Sequence, residues 1–468
     1  MLDVSKLNVE IRTKNKRVRP LTVLFIEWSS RGRDFEIDLP LMYFFEKILN
    51  FRVEYKSIFD HWGIMNCRPD IIIMSNTTGA KANMNMVKKI KQSGFLLFSH
   101  CSEGFFEEEN IEQYLWGWNN DKELREEFST LWNKKAYKLS TKYYPKIKNK
   151  LFITGSIGHD KYSIFKNKLK NNNLKYNICY AANDFNNLLS SKSERIKVYG
   201  EKKINKNIEY IPILKGILLE LINVNPQINF LIKPHPADGG KVPLEVKGLK
   251  NQNIKVLDAK TSIFDALNQC DILITFRSST AFESSLCEIP VISMCKNKEF
   301  IEESSFLKPI LKEDNPDKID KYIKEFYESG KIKAVEGKKH LLSSYVKKLI
   351  GFSDGLNHVR FMSFLKPYIE SDIPKGKWQF GFKEKVKALI YYLYYKCQFI
   401  LPNNDHINRW RDLFDPEDII EQKKKRYPDF DEFYKENDEK IKYIYDNYAS
   451  SWKVSHKINE TSQSKNKE

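Results

Sequence analysis

His235 stands between Pro234 and Pro236, in the stretch FLIKPHPADGG that runs from Phe230 to Gly240. The two prolines lack N–H donors and fix φ near −65°, so the segment is neither helix nor central strand. Each also drives the residue before it out of the α region, which holds His235 on a stiff, extended backbone. Lys233 ends the apolar run that leads in, and a rigid histidine just past a strand end lies where open α/β sheets bind ligands. The same residues also make an ordinary proline-rich turn, and this stretch alone leaves both readings open. A second group is Arg277, Ser278, Ser279 and Thr280, between a buried strand and a helix. Hydroxyls and free N–H groups at a helix start attract phosphate. N-capping also selects Ser and Thr, but one such residue is enough for a cap and this turn has three. Glu283, one turn further on, is placed to reach a ribose, or is a solvated helix glutamate.

These residues need elements to hold them. Short apolar runs alternate with helical stretches, the pattern of βα units and parallel sheets. The first series is LTVLFI (21–26), FRVEY (51–55), DIIIM (70–74) and FLLFS (95–99). A polar, Lys- and Tyr-rich region from about 121 to 150 reads as helical. The second series is LFIT (151–154), YNICYA (176–181), INFLIK (228–233), IKVL (254–257), DILIT (271–275) and PVIS (290–293). The fold class expected is therefore α/β, with two Rossmann-like domains facing a cleft, spanning 1–150 and 151–345. A helical region follows over 346–455, then a disordered tail over 456–468.

The chain of 468 residues has room for two or three cores, and its apolar content is that of a globular protein. Its seven cysteines are scattered without CxxC pairs or metal spacing, which fits a reducing compartment and argues against a structural zinc. No apolar segment marks a signal peptide, and none has the length and purity of a membrane span. A net charge of +17 suits anionic ligands, an anionic membrane surface or merely a lysine-rich solvated surface. Nucleic acid is not expected, because no RNP, zinc-finger or basic-zipper pattern is present. GxxxxGK[ST] and GxGxxG fingerprints are also absent. The acidic DFD at 429–431 lies in a charged helical tail, away from any strand end, and reads as solvated surface rather than a DxD metal motif.

IKPHP, followed further on by DILITFRSSTAFESSLCEIPVIS, resembles the nucleotide-binding half of GT-B glycosyltransferases of bacterial surface polysaccharides. The resemblance is greatest to enzymes that use CMP-activated acidic sugars: bacterial sialyltransferases, Kdo transferases and related surface carbohydrate biosynthesis proteins. Teichoic-acid polyol-phosphate transferases, which use CDP-glycerol or CDP-ribitol, share a similar pattern. It implies that His235 and the hydroxyls of Ser278 and Ser279, with Thr280 close behind, hold the donor phosphate, and Lys233, Arg277 and Glu283 join the donor-binding candidates. Asn183, in CYAANDFNN, is a further candidate for the leaving phosphate or the sugar, or a turn residue. In FLLFSHCSEGFF the family's acidic-acidic-Gly motif is similar to Ser102-Glu103-Gly104, so the general base falls to Glu103. Arg33, Asp34 and Asp38, in EWSSRGRDFEIDLPLM, would sit at the cleft, with Asp38 an alternative base; all three also read as helix-start charges. ITGSIGHDKY (153–162) is similar to the family's interdomain crossing.

The resemblance implies an inverting transfer of an acidic sugar from a CMP donor to a surface glycan, with no metal and no other cofactor. CDP-polyol phosphotransfer, a sugar-nucleotide epimerase and a non-catalytic glycan-assembly scaffold remain as alternatives. In the C-terminal region, KEKVKALIYYLYYKCQFIL (383–401) is either a basic amphipathic helix on a membrane surface or a core helix. KKKRY (423–427) reads as contact with anionic lipid or as a solvated face.

Overall fold

β-branched and aromatic runs bounded by polar residues fold as the parallel strands that their composition predicts, buried at the centre of each sheet and more exposed at the edge strands Arg52–Ser57 and Ile254–Val256. A computed structural model of the chain describes residues 20–28, 32–104, 106–117, 119–165, 174–238, 240–258, 261–296, 298, 308–396 and 416–465. The chain divides into two compact units, Met1–Ile164 with Lys348–Glu468, and Phe165–Lys347.

The first unit holds a parallel sheet of β1 (Thr22–Glu27), β2 (Arg52–Ser57), β3 (Ile71–Met74), β4 (Leu96–His100), β5 (Phe128–Leu131) and β6 (Leu151–Ile153). Their order is β2-β1-β3-β4-β5-β6, so the winding reverses beside β1. Helices α1 (Gly32–Tyr43), α2 (His61–Asn66) and α3 (Lys81–Gln92) connect the early strands. Two expectations are corrected. The region 121–150 is not all helix, because Phe128–Leu131 is a strand, every residue of it buried. LFIT does not open the second series: Leu151–Ile153 pairs with Ser129–Leu131 and closes the first sheet. Packing fixes this choice, for Phe152 lies edge-on to Phe128.

The second unit holds β7 (Asn177–Ala181), β8 (Asn229–Lys233), β9 (Ile254–Val256), β10 (Ile272–Thr275), β11 (Val291–Ser293) and β12 (Leu311–Lys312), with α4 (Glu201–Val224) and α5 (Thr280–Leu286) among its helices. The sheet order is β12-β11-β10-β7-β8-β9, with reversal between β7 and β10. Two Rossmann-like units and C-terminal helices make a GT-B-like α/β chain: the α/β class is the one expected from the alternating pattern, and the GT-B form the one the resemblance implies.

The C-terminal helices are α6 (Asn357–Glu370), α7 (Phe382–Lys396), α8 (Pro416–Glu436) and α9 (Asp438–Lys465). Instead of a module of their own, they belong to the first unit. Aromatic contacts explain this. Phe364 stacks on Phe152 at 4.4 Å, and Tyr43 of α1 stacks on Phe430 at 4.8 Å. Asp160 accepts from the His358 N–H and from its Nδ1 at 2.9 and 2.7 Å, and His358 Nε2 accepts from the Tyr434 hydroxyl at 2.6 Å. Charged runs take part too. Lys423 and Tyr427 both grip Glu46, and Asp431, in the expected solvated DFD, accepts from Tyr43. α9 continues to Lys465, through most of the expected disordered tail; from Asp438 to that point the sequence has no Gly or Pro to stop a helix. Among the described residues no helix is long and apolar enough to cross a membrane.

Candidate functional site

In the second unit the switch point lies beside β7, and doubly wound sheets bind ligands beyond the strands' carboxyl ends at such a point. Register sets Thr275, Ala181 and Lys233 abreast on β10, β7 and β8. With neighbouring strands about 4.8 Å apart, the three loops that leave these residues start within about 10 Å of one another. They carry Arg277–Thr280, Asn183 and His235.

His235 is half-buried, and its Nδ1 accepts from the Ala237 N–H at 3.2 Å. A neutral imidazole that accepts at Nδ1 holds its proton at Nε2, so the ring is a donor there. The Lys233 ammonium is buried and donates to the Pro234 carbonyl at 2.8 Å, bracing the proline bend. Two enclosed carboxylates then join the His235 loop to the Asn183 loop. Asp238 accepts from the Asn187 N–H and the Asn186 amide, both at 3.0 Å. Glu245 accepts from the Tyr180 hydroxyl and the Asn183 N–H, also at 3.0 Å. Burial raises the Glu245 carboxyl above its ordinary range, against the lowering effect of these donors.

The Ser/Thr turn divides its work. Ser278 Oγ accepts from the Thr280 N–H at 3.3 Å, a local turn bond, while Ser279 at the helix N-cap makes no side-chain capping bond. Ser279 is exposed, and Arg277 reaches Asn207 of α4 at 3.3 Å. Thr280 Oγ1 is enclosed without a hydrogen-bond partner among the described residues. Glu283 is half-buried in α5. That helix has seven residues, fewer than two full turns. Side chains, rather than the field of a long helix, must therefore carry any grip on an anion.

The first unit places polar groups at its own switch point. Glu27 ends β1 and accepts from both the N–H and the hydroxyl of Ser75, just past β3. His100 ends β4, and its Nε2 meets Asp38 Oδ1 of α1 at 2.9 Å. All three side chains are buried. Burial is the main cause of their shifts: Glu27 and Asp38 are raised well above the carboxylate range, with nearby Asp34 adding to both, and His100 is pushed down to about 3. Asp38 Oδ2 and His100 Nδ1 have no partner among the described residues. Glu126, just before β5, reaches Thr77 and Ser99 with its side chain and accepts from them at 2.7 and 3.0 Å.

An Asp38 open to an acceptor is thus not what the structure has. Its side chain is fully enclosed, with Oδ1 held against His100 at the end of β4. Glu103 is exposed beyond β4. Its loop is pinned: Trp132 Nε1 donates to the Cys101 carbonyl at 2.6 Å, and a Cβ on Gly104 would meet the Trp132 ring at 2.1 Å. Ser102 and Asp34 are half-buried. Arg33 lies in α1, but its side chain falls outside the described residues. Sequence reasoning did not single out Glu27, His100, Asp238 or Glu245. For the first two a signal exists, a titratable residue closing an otherwise apolar strand, as Lys233 does.

No protein-family profile matches the chain, and no curated protein does. Solved structures similar to it include the UDP-GlcNAc 2-epimerase from Neisseria meningitidis bound to UDP-GlcNAc, 11% identical with a TM-score of 0.46 over 75% of this chain and 100% of that one. MnaA of S. aureus, solved with UDP, is 12% identical with a TM-score of 0.48 over 78% of this chain and 100% of its own. The wall teichoic acid polymerase TagF is 10% identical with a TM-score of 0.47 over 78% and 94%. At such values the substrate and reaction of this chain must be argued from its own residues.

Proposed function

We propose that the chain is an inverting glycosyltransferase of bacterial surface-glycan assembly that takes an acidic sugar, Kdo or a sialic-acid-like nonulosonate, from a CMP donor. The observation that carries the reading is the His235 loop. Prolines stiffen it, the Ala237 N–H fixes its tautomer, and Asp238 and Glu245 tie it to the Asn183 loop at the switch point. The resulting Nε2–H donor, with the hydroxyls of Ser279 and Thr280, suits a phosphate oxygen on which charge develops. In the proposed reaction Glu103 takes the proton of the acceptor hydroxyl, whose oxygen bonds to the anomeric carbon. The bond from that carbon to the CMP phosphate oxygen breaks, and His235 and the hydroxyls stabilise the CMP that leaves, without a metal ion. Asn183, Arg277 and Glu283 contact the donor, while Lys233 and Ser278 shape the loops that hold it. We assign Asp34 and Arg33 to the acceptor side of this reaction. That acceptor is a glycan or lipid-linked glycan, and the protein works in the cytoplasm as a peripheral protein at the inner face of the inner membrane.

Titration calorimetry with CMP, CDP, UDP and GDP tests this. CMP binding that His235→Ala weakens about 10- to 150-fold is expected, the loss of one charge-assisted bond. Preference for CDP would move the reading to CDP-polyol phosphotransfer, and no binding of any nucleotide would overturn it in favour of a scaffold.

A further inference from the structure

α7 has two unlike faces. Glu384, Ala388 and Tyr392, spaced by four, lie along one side of it. Glu384 pairs with Lys89 of α3 at 3.0 Å, Ala388 is buried, and Tyr392 stacks on Trp62 of α2 at 5.9 Å. The chain entering the helix is anchored as well. Trp378 Nε1 donates to the Cys67 carbonyl at 2.9 Å, and Phe380 is part of the core beneath β1, β3 and β4. The helix is therefore firmly docked on the first unit.

Phe382, Val386, Ile390 and Leu393 line another side, again at spacings of four, four and three. They are 82%, 39%, 59% and 49% exposed, an apolar strip left in solvent along the helix. Lys383, Lys385 and Lys387 are all exposed around the same turns, while Glu384, the acid among them, is already paired with Lys89. Isolated exposed apolar residues need no explanation, but a continuous strip on a firmly held helix marks a contact surface.

We propose that α7 docks the protein on an anionic lipid bilayer, with Phe382, Val386, Ile390 and Leu393 in the headgroup region and the three lysines against lipid phosphates. The charge pattern selects this occupant. An apolar strip flanked by lysines without competing acids matches a negatively charged interface, and a convex helix surface suits a plane better than a pocket. The inference rests on the membrane side of the proposed function for its purpose, and on α7 alone for its physics. It concerns lying on the surface, which needs no spanning segment.

Sedimentation of the full chain with phosphatidylglycerol-containing vesicles tests it, with pure phosphatidylcholine vesicles as the comparison. The wild type should pellet with the anionic vesicles, less so as salt rises. Removing Lys383, Lys385 and Lys387 together should lower partitioning about 100-fold, at roughly fivefold per charge. Ile390→Ser with Leu393→Ser should lower it about tenfold or more. Ile213→Ser, at an exposed apolar site on α4, should change nothing. Circular dichroism melts that match the wild type show that the α7 variants are folded. Absence of wild-type binding, or binding that the folded α7 variants retain, overturns the proposal. So does a dimer in sedimentation velocity that Ile390→Ser dissolves without any lipid binding, which would give the strip to a second copy of the chain. Nucleotide calorimetry on the same proteins separates the two readings: lipid docking without CMP binding sinks the donor assignment alone, and the reverse sinks the docking alone.

Discussion

Glu245 is the residue on which the arrangement of the donor loops can be tested most sharply. Glu245→Ala deletes the acceptor shared by the Tyr180 hydroxyl and the Asn183 N–H, both at 3.0 Å. Each buried donor left without an acceptor costs about 1–3 kcal/mol, so about 2–6 kcal/mol is at stake, lessened by release of a buried carboxylate. Asn183 then loses its anchor, and CMP affinity should fall about tenfold or more, equivalent to about 1.4 kcal/mol. Glu245→Gln keeps an acceptor oxygen but does not titrate, so it should hold CMP close to wild type. The pH dependence has a definite sign. Burial raises this carboxyl in the folded state; the native protein therefore holds a proton that the unfolded chain has released. Stability from this group declines as pH rises from the ordinary glutamate value through the raised one, and is recovered on acidification. Melting curves across that range should show the glutamine variant gaining on the wild type as pH increases. A glutamine variant that tracks the wild type at every pH, or an alanine variant with unchanged stability and CMP affinity, would refute the reasoning.

Three further outcomes are expected. Glu103→Gln should lower turnover by about 100-fold or more while donor affinity stays near wild type; transfer assays that show full activity would remove Glu103 as the base. Asp38→Asn should leave turnover largely intact, since its side chain is enclosed, and a folded but inactive variant would return the base role to Asp38. Tyr434→Phe leaves the enclosed Nε2 of His358 without its donor, so chemical denaturation should register a loss of about 1–3 kcal/mol. An unchanged unfolding midpoint would mean that the Asp160–His358–Tyr434 chain does not hold the C-terminal helices.

The fold was legible where local pattern and final environment agree. Buried parallel strands need apolar runs on both faces, and TVLFIE, IIIM and ILIT could hardly be anything else. Legibility failed where long-range packing decides. FSTL sits inside a polar, Lys- and Tyr-rich region that reads as helical; it becomes a strand because its position between β4 and β6 needs one. LFI has no local feature to say which sheet it joins, and Phe128 and Phe364 settle that from distant parts of the chain. The C-terminal region reads as independent in sequence for the same reason. Its Tyr, Phe and Lys residues look like a solvated helical surface until Tyr43 and Glu46 supply partners nearly four hundred positions away.

For the candidate site the division is similar, but its cause is electrostatic. His235 and the Ser/Thr turn are visible because prolines and clustered hydroxyls impose backbone behaviour that any reader can infer from three or four adjacent letters. Asp238 and Glu245 are invisible because their function depends on donors that the fold brings to them from the β7 side, Asn186, Asn187, Asn183 and Tyr180. In sequence they are two acids in a polar loop, the most ordinary place for an acid to be. Burial changes what they are: a carboxylate removed from water is tolerated when several donors converge on it, so each enclosed acid marks a place where the fold has fixed a loop at some cost in stability. The same reasoning applies to Asp38 and His100, where the pairing leaves one enclosed atom on each side without a partner among the described residues. An arrangement that costs stability at the switch point of each sheet is expected where a protein needs its loops held for binding rather than for folding alone.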